Sequence, residues 1–266
     1  MFAYTAKLLN DVKEKAPLIH NITNFVVMNS SANMLLAIGA SPVMAHCKDE
    51  VAEMVSMAGA LVLNIGTLQD DWVDAMILAG KYANESGIPV ILDPVGAGAT
   101  RLRTRSALRI MDECRVSVLR GNTSEIHALS GADVKTRGVD SSLALSDYIV
   151  ESASRLARKR GIIVAVSDVE DCICDGDVIF RVKNGHPLMA KVTGMGCGLS
   201  AITAAFCAVS GNNPTMAVAA AFGFYGICGE LAAQISDKPG SFQTAFLDCL
   251  FSTGQTEIDA RLCVNS

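Results

Sequence analysis

Residues 89–98 read Pro89-Val-Ile-Leu-Asp93-Pro94-Val-Gly96-Ala-Gly98. Three apolar residues in succession run into a carboxylate, and a Pro/Gly turn follows. An apolar run without polar alternation predicts a strand covered on both faces, Pro89–Asp93. The same grammar recurs along the chain. Pro17–Asn21, Ser41–Ala45, Ala60–Gly66, Val116–Arg120 and Ile162–Ser167 also read as strands. Between them lie helical patterns such as Phe25–Ile38, Asp70–Ser86, Thr123–Leu129 and Leu143–Arg160. Strand–helix–strand repetition implies right-handed crossovers and a mostly parallel sheet with helices on both faces, a three-layer α/β fold. Beyond Ser167 the pattern changes. Asp171–Asp175 and Val178–Lys183, split by Asp175-Gly176-Asp177, read as a hairpin at the sheet edge. The C-terminal third is helical and ends in Ser241–Phe251, with Phe242, Phe246, Leu247 and Leu250 on one face. No Pro/Ser-rich linker, repeat or low-complexity tract divides the chain, so residues 1–266 are expected to form one domain.

Composition narrows the function classes. Half of the 266 residues are apolar and 18% are charged, enough for a substantial core. Aromatics at 5% and a formal net charge of −5 argue against a nucleic-acid binder. The four histidines, at 20, 46, 127 and 186, never stand at helical metal-ligand spacing, and no Cys-x-x-Cys occurs. The nine cysteines are scattered from Cys47 to Cys263, and the N-terminus reads as an amphipathic helix rather than a secretory signal. Free thiols in the cytoplasm are the expectation. From Val192 to Gly229 no side chain is charged, but Ser210-Gly211-Asn212-Asn213-Pro214 interrupts the run. Two buried helices are expected there, not a membrane span.

In open α/β sheets, ligands sit beyond the carboxyl ends of the strands. Asn64-Ile-Gly66-Thr67, Asp93-Pro94-Val-Gly96-Ala-Gly98, Arg120-Gly121-Asn122 and Ser167-Asp168 all fall at strand ends. Four strands thus deliver polar residues to one rim. A fifth contribution is Val192-Thr-Gly194-Met-Gly196-Cys197-Gly198-Leu-Ser200, which opens an Ala-rich helix. Glycines ahead of a helix let backbone N–H groups converge on an anion. The stretch therefore reads as an anion hole for a transferring phosphoryl group, with a first-turn Cys197 of lowered pKa beside the attacking oxygen. Tight helix packing with Cys197 as filler is the alternative. No Gly-Lys-Ser/Thr follows, so this is not a Walker A loop.

Asn122 with Glu125 three residues on has the spacing of a capping box, which leaves Arg120 to be explained as a phosphate ligand. Asp93 is either a turn residue or a carboxylate linked to Mg²⁺ through water. Asn24 reads as a cap for the helix from Phe25, and Met44 as core.

Together these pieces resemble the hydroxyethylthiazole kinase family of the ribokinase-like fold. The resemblance runs through His20-Asn-Ile-Thr-Asn24, Ala40-Ser-Pro-Val-Met44, Asn64-Ile-Gly-Thr67, Leu92-Asp-Pro-Val95, Arg120-Gly-Asn-x-Ser-Glu125, Gly194-x-Gly-Cys197 and Pro239-Gly-Ser-Phe242. It implies a ribokinase-like domain without a separate lid and ATP-dependent phosphorylation of 4-methyl-5-(2-hydroxyethyl)thiazole. It places Met44, Gly194 and Asn24 at the thiazole, and Arg120, Ser167 and Asn122 at ATP. Gly194, Gly196 and Cys197 become the catalytic turn, with Asp93 and Glu125 near Mg²⁺. A homotrimer with thiazole sites between subunits is implied as well. Relatives with Asp at the Cys197 position are pyrimidine kinases or nucleotide-dependent NAD(P)H-hydrate dehydratases, the alternative reading. Two residues depart from the family pattern: Met195 between the glycines, and Asp168 in a Ser167-Asp168 pair where Thr-Gly is expected.

Overall fold

The computed structural model describes residues 1–131 and 147–266. One nine-stranded sheet organises them, in the order β2-β1-β3-β4-β5-β6-β7-β8-β9. Its parallel part comprises β1 (Leu18–Ile22), β2 (Ser41–Met44), β3 (Ala60–Asn64), β4 (Val90–Asp93), β5 (Val118–Asn122) and β6 (Ile163–Ser167). The antiparallel extension is β7 (Asp171–Cys174), β8 (Ile179–Val182) and β9 (Val264–Asn265). The hairpin expected after Ser167 is therefore present but does not form the edge. The chain terminus returns and adds β9 outside it, a two-residue pairing too short to carry a periodic signal.

Helices α1 (Phe2–Lys15), α2 (Met28–Ala37), α8 (Met195–Val209), α9 (Pro214–Ile235), α10 (Pro239–Ser252) and α11 (Gln255–Arg261) pack on one face of the sheet. On the other lie α3 (Val51–Met57), α4 (Asp70–Ser86), α5 (Arg101–Glu113), α6 (Thr123–Leu129) and α7 (Asp147–Arg160). Residues 143–146 of the helix expected from Leu143 lie outside the described residues. Each central strand divides its side chains between the two cores. In β3, Ala60 and Val62 face the first and Leu61 and Leu63 the second, which is why the run is apolar throughout.

Element ends follow local chemistry. The β4 ladder begins at Val90 because Pro89 has no N–H to give, though its carbonyl accepts from Leu61 N–H. Asp70 and Asp71 occupy the first turn of α4, where they favour the helix dipole, and Gly87 ends it in the left-handed conformation at φ 71°. Ser210 and the residues after it separate α8 from α9, which starts on Pro214. Helix α9 is long and apolar enough to cross a membrane, yet 78% of its most apolar window is buried against the rest of the protein. It is a core helix. Around it Tyr225 meets Phe246 edge-on at 4.8 Å, and Phe206 lies 5.7 Å from Phe224. Buried aromatics of this kind contribute about 1.5–3 kcal/mol each through burial.

The helix expected from Phe25 starts later, at Met28. Asn24 does not cap it. Its Oδ1 accepts from the Val26 N–H in a local turn, while its Nδ2 is drawn away to the end of β3. With Oδ1 serving this turn and Nδ2 the sheet, neither atom is left for the first turn of α2.

Gly226 on α9 packs against the backbone of Asn184. A Cβ there would come within 2.5 Å of that carbonyl. Asn184 cannot retreat, because its side chain donates to Glu230 and to the Arg261 carbonyl and accepts from Cys263 N–H. Gly226→Ala is expected to lose about 1–3 kcal/mol of stability through overpacking, read as a lower urea midpoint with an unchanged slope.

Candidate active site

The register places the strand ends side by side, Asn64 against Asp93 and Asn122 against Ser167. The rim anticipated from the sequence is thus a single surface. Helix α8 points its N-terminus into it. Its N-cap is Gly194 at φ 85°, a left-handed conformation that glycine adopts freely and that brings no capping side chain. The first intrahelical bond runs from Gly198 N–H to the Gly194 carbonyl at 2.8 Å. The N–H groups of Met195, Gly196 and Cys197 therefore lack intrahelical acceptors, and the helix dipole adds positive potential.

Arg120 leaves the end of β5 and lies against this turn. A Cβ on Gly196 would come 2.8 Å from Arg120 Nη1, so glycine is what lets the guanidinium approach. Arg120 Nη2 donates to Ser167 Oγ at 2.6 Å, and Nη1 lies 3.7 Å from Asp93 Oδ2. Both ionic side chains are buried. Arg120 Nε and Asp93 Oδ1 have no hydrogen-bond partner in the protein, a costly arrangement that ligand binding would explain. Ser200 Oγ donates to Asp93 Oδ2 at 2.7 Å, tying α8 to the sheet. Burial pushes the Asp93 carboxyl up to about 6 despite the neighbouring Arg120, and the Glu125 charge acts in the same direction as burial.

Next to Arg120 lies a cavity of about 500 Å³, whose lining includes Gly194, Met195, Gly196, Arg120, Ser167, Asp168 and Asp171. Val192, Leu199, Phe222 and Pro187, Met189 and Ala190 of the 3₁₀ turn Pro187–Lys191 line it as well. Met195 faces this space, and its carbonyl accepts from the buried Tyr225 hydroxyl at 2.8 Å. Asp168 is tied into its own turn: Oδ2 accepts from Thr123 Oγ1, and its N–H donates to Asp171 Oδ1. Burial raises the Asp171 carboxyl to about 7, opposed by that N–H and by Arg120.

Outside the cavity lining, Cys197 of the same turn belongs to a second cluster. Asn24 Nδ2 donates to Asn64 Oδ1 at 2.8 Å and to Cys197 Sγ at 3.5 Å. Asn64 Oδ1 also accepts from Gly66 N–H. The thiol does not have the lowered pKa expected of a first-turn cysteine. Burial, reinforced by the Asp93 charge, pushes it up to about 11, and the Asn24 amide and Arg120 only partly oppose this. Desolvation is the largest influence on this thiol, and it favours the neutral form.

The sequence candidates thus divide. Gly194, Gly196, Arg120 and Ser167 line the cavity; Asn24 and Cys197 meet each other outside its lining. Asn122 and Glu125 form a true capping box on α6, and Glu125 additionally accepts from Gly96 N–H at 2.7 Å. Asn122 does not line the cavity. Met44 sits on the edge strand β2, away from the cavity lining.

The sequence profile described as the hydroxyethylthiazole kinase family matches residues 9–255. The chain belongs to the hydroxyethylthiazole kinase family. A protein named hydroxyethylthiazole kinase from Desulfotalea psychrophila is 50% identical over 254 residues, 96% of this chain and 92% of that one. A solved hydroxyethylthiazole kinase structure from Pyrococcus horikoshii OT3 matches with a TM-score of 0.91 and 42% identity, covering 99% of this chain and 98% of that one. A ribokinase-like superfamily protein from Enterococcus faecalis shares the fold, with a TM-score of 0.63 at 16% identity over 94% and 95% of the two chains. As a family member the chain stands with the thiazole kinases rather than with the pyrimidine kinases or dehydratases of the same fold.

A residue the sequence reading missed is Arg103, whose guanidinium joins two of the rim turns. Its signal was a local violation: a cation in the first turn of α5, where the helix dipole disfavours positive charge.

The protonated state of Cys197 is checked by alkylation. Mass spectrometry of iodoacetamide-treated protein should show the Cys197 rate rising about tenfold per pH unit from 7 to 10, in step with the thiolate fraction. A rate that levels off near pH 7 would mean a thiolate is already present.

Proposed function

We propose that this kinase transfers the γ-phosphoryl group of ATP to the primary hydroxyl of 4-methyl-5-(2-hydroxyethyl)thiazole, giving the thiazole phosphate used in thiamine synthesis or salvage. The observation that carries the reading is the uncapped Gly194–Cys197 turn. Its free amides adjoin both the Arg120–Ser167 cavity and the Asn24–Cys197 contact, in a chain of this family. ATP takes the cavity, with its phosphates toward Arg120 and Ser167. The alcohol takes the Asn24 side, and Met44 reaches it from a neighbouring subunit.

Phosphoryl transfer depends on in-line positioning and on neutralising oxygen charge more than on covalent chemistry. Here the amides of Met195, Gly196 and Cys197 and the Arg120 guanidinium supply fixed positive potential where that charge develops. The alcohol oxygen bonds to phosphorus as the bridge to ADP breaks. The alcohol keeps its proton until the new bond is well formed, since a thiol with a pKa of about 11 is a poor acceptor near pH 7, and the proton then leaves to a phosphoryl oxygen and on to solvent. Cys197 instead fills the turn and offers its S–H to the reacting oxygens.

The acidic residues fit a hydrated Mg²⁺. Asp93 keeps one buried oxygen without a partner, while each Glu125 oxygen already accepts an amide N–H. Asp93 would hold the ion through water and Glu125 would add charge behind it; the ion, when bound, supplies charge neutralisation on the phosphates.

The active unit is a homotrimer of single-domain subunits, each spanning residues 1–266 without a separate lid. Supporting this, Phe25 and Val26 next to Asn24 are more than half exposed, and Met44 lies on β2, the edge strand among the described residues, and does not line its own cavity. The nine free thiols suit a cytoplasmic setting.

Incubation with Mg-ATP and the thiazole alcohol should yield thiazole phosphate and equimolar ADP by mass spectrometry, with neither product in the no-thiazole control. Bound thiazole with ATP left intact would overturn the kinase chemistry. Under single turnover, Cys197→Asp should remain active and Cys197→Ala should be slowed by about tenfold. Complete loss in a folded Ala variant would show that the thiol must take the proton.

A further inference from the structure

The rim is assembled from separate strand ends, and a side chain outside it bridges two of them. Arg103, in the first turn of α5, donates through Nη1 to the Ile65 carbonyl at 3.0 Å and to the Val95 carbonyl at 2.7 Å. Its Nη2 donates to the Gly66 carbonyl at 2.8 Å. Two of these acceptors belong to the turn after β3 and one to the turn after β4. The helix end carrying Arg103 is itself fastened to the β4 turn. Thr104 Oγ1 accepts from Gly98 N–H at 2.8 Å, and the Thr100 side chain caps the helix through Arg103 N–H.

The two turns carry different halves of the chemistry. The first continues from Asn64, which holds Asn24 and through it contacts Cys197. The second continues from Asp93, which meets Arg120 and Ser200, and includes Gly96, whose N–H binds Glu125. A planar guanidinium fork offers several donors in fixed directions, a geometry that a lysine ammonium does not reproduce. Ordinary helix stability does not explain a cation at this helix end, where the dipole opposes it.

We propose that Arg103 is a positioning residue: its fork fixes the β3 turn against the β4 turn and so sets the distance between the acceptor alcohol and the phosphoryl-transfer groups. The proposal rests on the kinase reading above for its effect on turnover, but its structural half is independent of it. Misplacement of reacting groups by about 1 Å costs on the order of 100-fold in rate.

The test compares wild type, Arg103→Ala and Arg103→Lys. Hydrogen exchange followed by mass spectrometry should show peptides covering residues 64–67 and 93–98 exchanging faster together in the Ala variant. The peptide covering 118–122 should be unaffected. In the activity assay, kcat of Arg103→Ala should fall about 100-fold with little change in KM for ATP, and methylguanidine added at millimolar concentration should restore part of it. Arg103→Lys should lie between. Exchange that rises in only one of the two turns, or spreads evenly over the protein, overturns the bridging role. Wild-type kcat in a folded Ala variant, or a loss that methylguanidine leaves unchanged, overturns the positioning role. Where the Ala variant does not fold, Arg103→Lys decides: wild-type kcat and exchange in that variant reject the proposal. If the wild-type protein forms no thiazole phosphate, the kinase reading fails, and the exchange result still judges the bridge.

Discussion

The approach of Arg120 to the first turn of α8 is the contact on which the site depends. A guanidinium can lie there only because residue 196 has no side chain, and the turn can stay open only because residue 194 is a glycine in the left-handed region. A capping serine at the N-terminus of α8 would already occupy one of these amides. Buried positive potential from both the helix end and Arg120 is balanced internally by Asp93 at 3.7 Å, an incomplete pairing that leaves polar atoms on both side chains without partners. That residual imbalance suits a site whose ligand is a polyanion. The surrounding fold holds the imbalance in place: Ser200 pins Asp93 to α8, Ser167 pins Arg120 to β6, and Tyr225 pins the Met195 carbonyl.

The same turn borders two sets of groups. The cavity lining mixes apolar side chains such as Val192, Leu199 and Phe222 with Arg120, Asp168 and Asp171. Outside that lining Asn24 bonds Asn64 and contacts the sulfur of Cys197, and the exposed Phe25 and Val26 follow Asn24 in the chain. Desolvation favours the protonated form of the Cys197 thiol. The fixed positive potential at the turn therefore comes from backbone amides and Arg120.

Much of this was legible in the residues. Continuous apolar runs such as Ala60–Leu63 report burial on both faces and hence a parallel sheet, and polar residues at the ends of β3, β4, β5 and β6 mark the ligand rim. The capping box at Asn122 and Glu125 follows from spacing alone. The misreadings share one cause. Asn24 looked like a helix cap and Cys197 like an exposed first-turn thiol, since each motif has that meaning when its neighbours in sequence are its neighbours in space. Asn24 instead bonds Asn64, forty residues away, and the half-buried Cys197 contacts Asn24 and feels the charges of Asp93 and Arg120.

By itself, then, the sequence determined the layering, the strand ends and the glycine turn, because these are encoded in local periodicity and turn chemistry, and its motifs carried the resemblance to the family. Tertiary structure alone decided which groups share an environment. It set the protonation of Cys197 and Asp93, since desolvation depends on what packs above a residue rather than beside it in the chain. It also gave Arg103 three carbonyls from two separate turns to bind, an arrangement that exists only once the parallel strands lie in register and present their ends together.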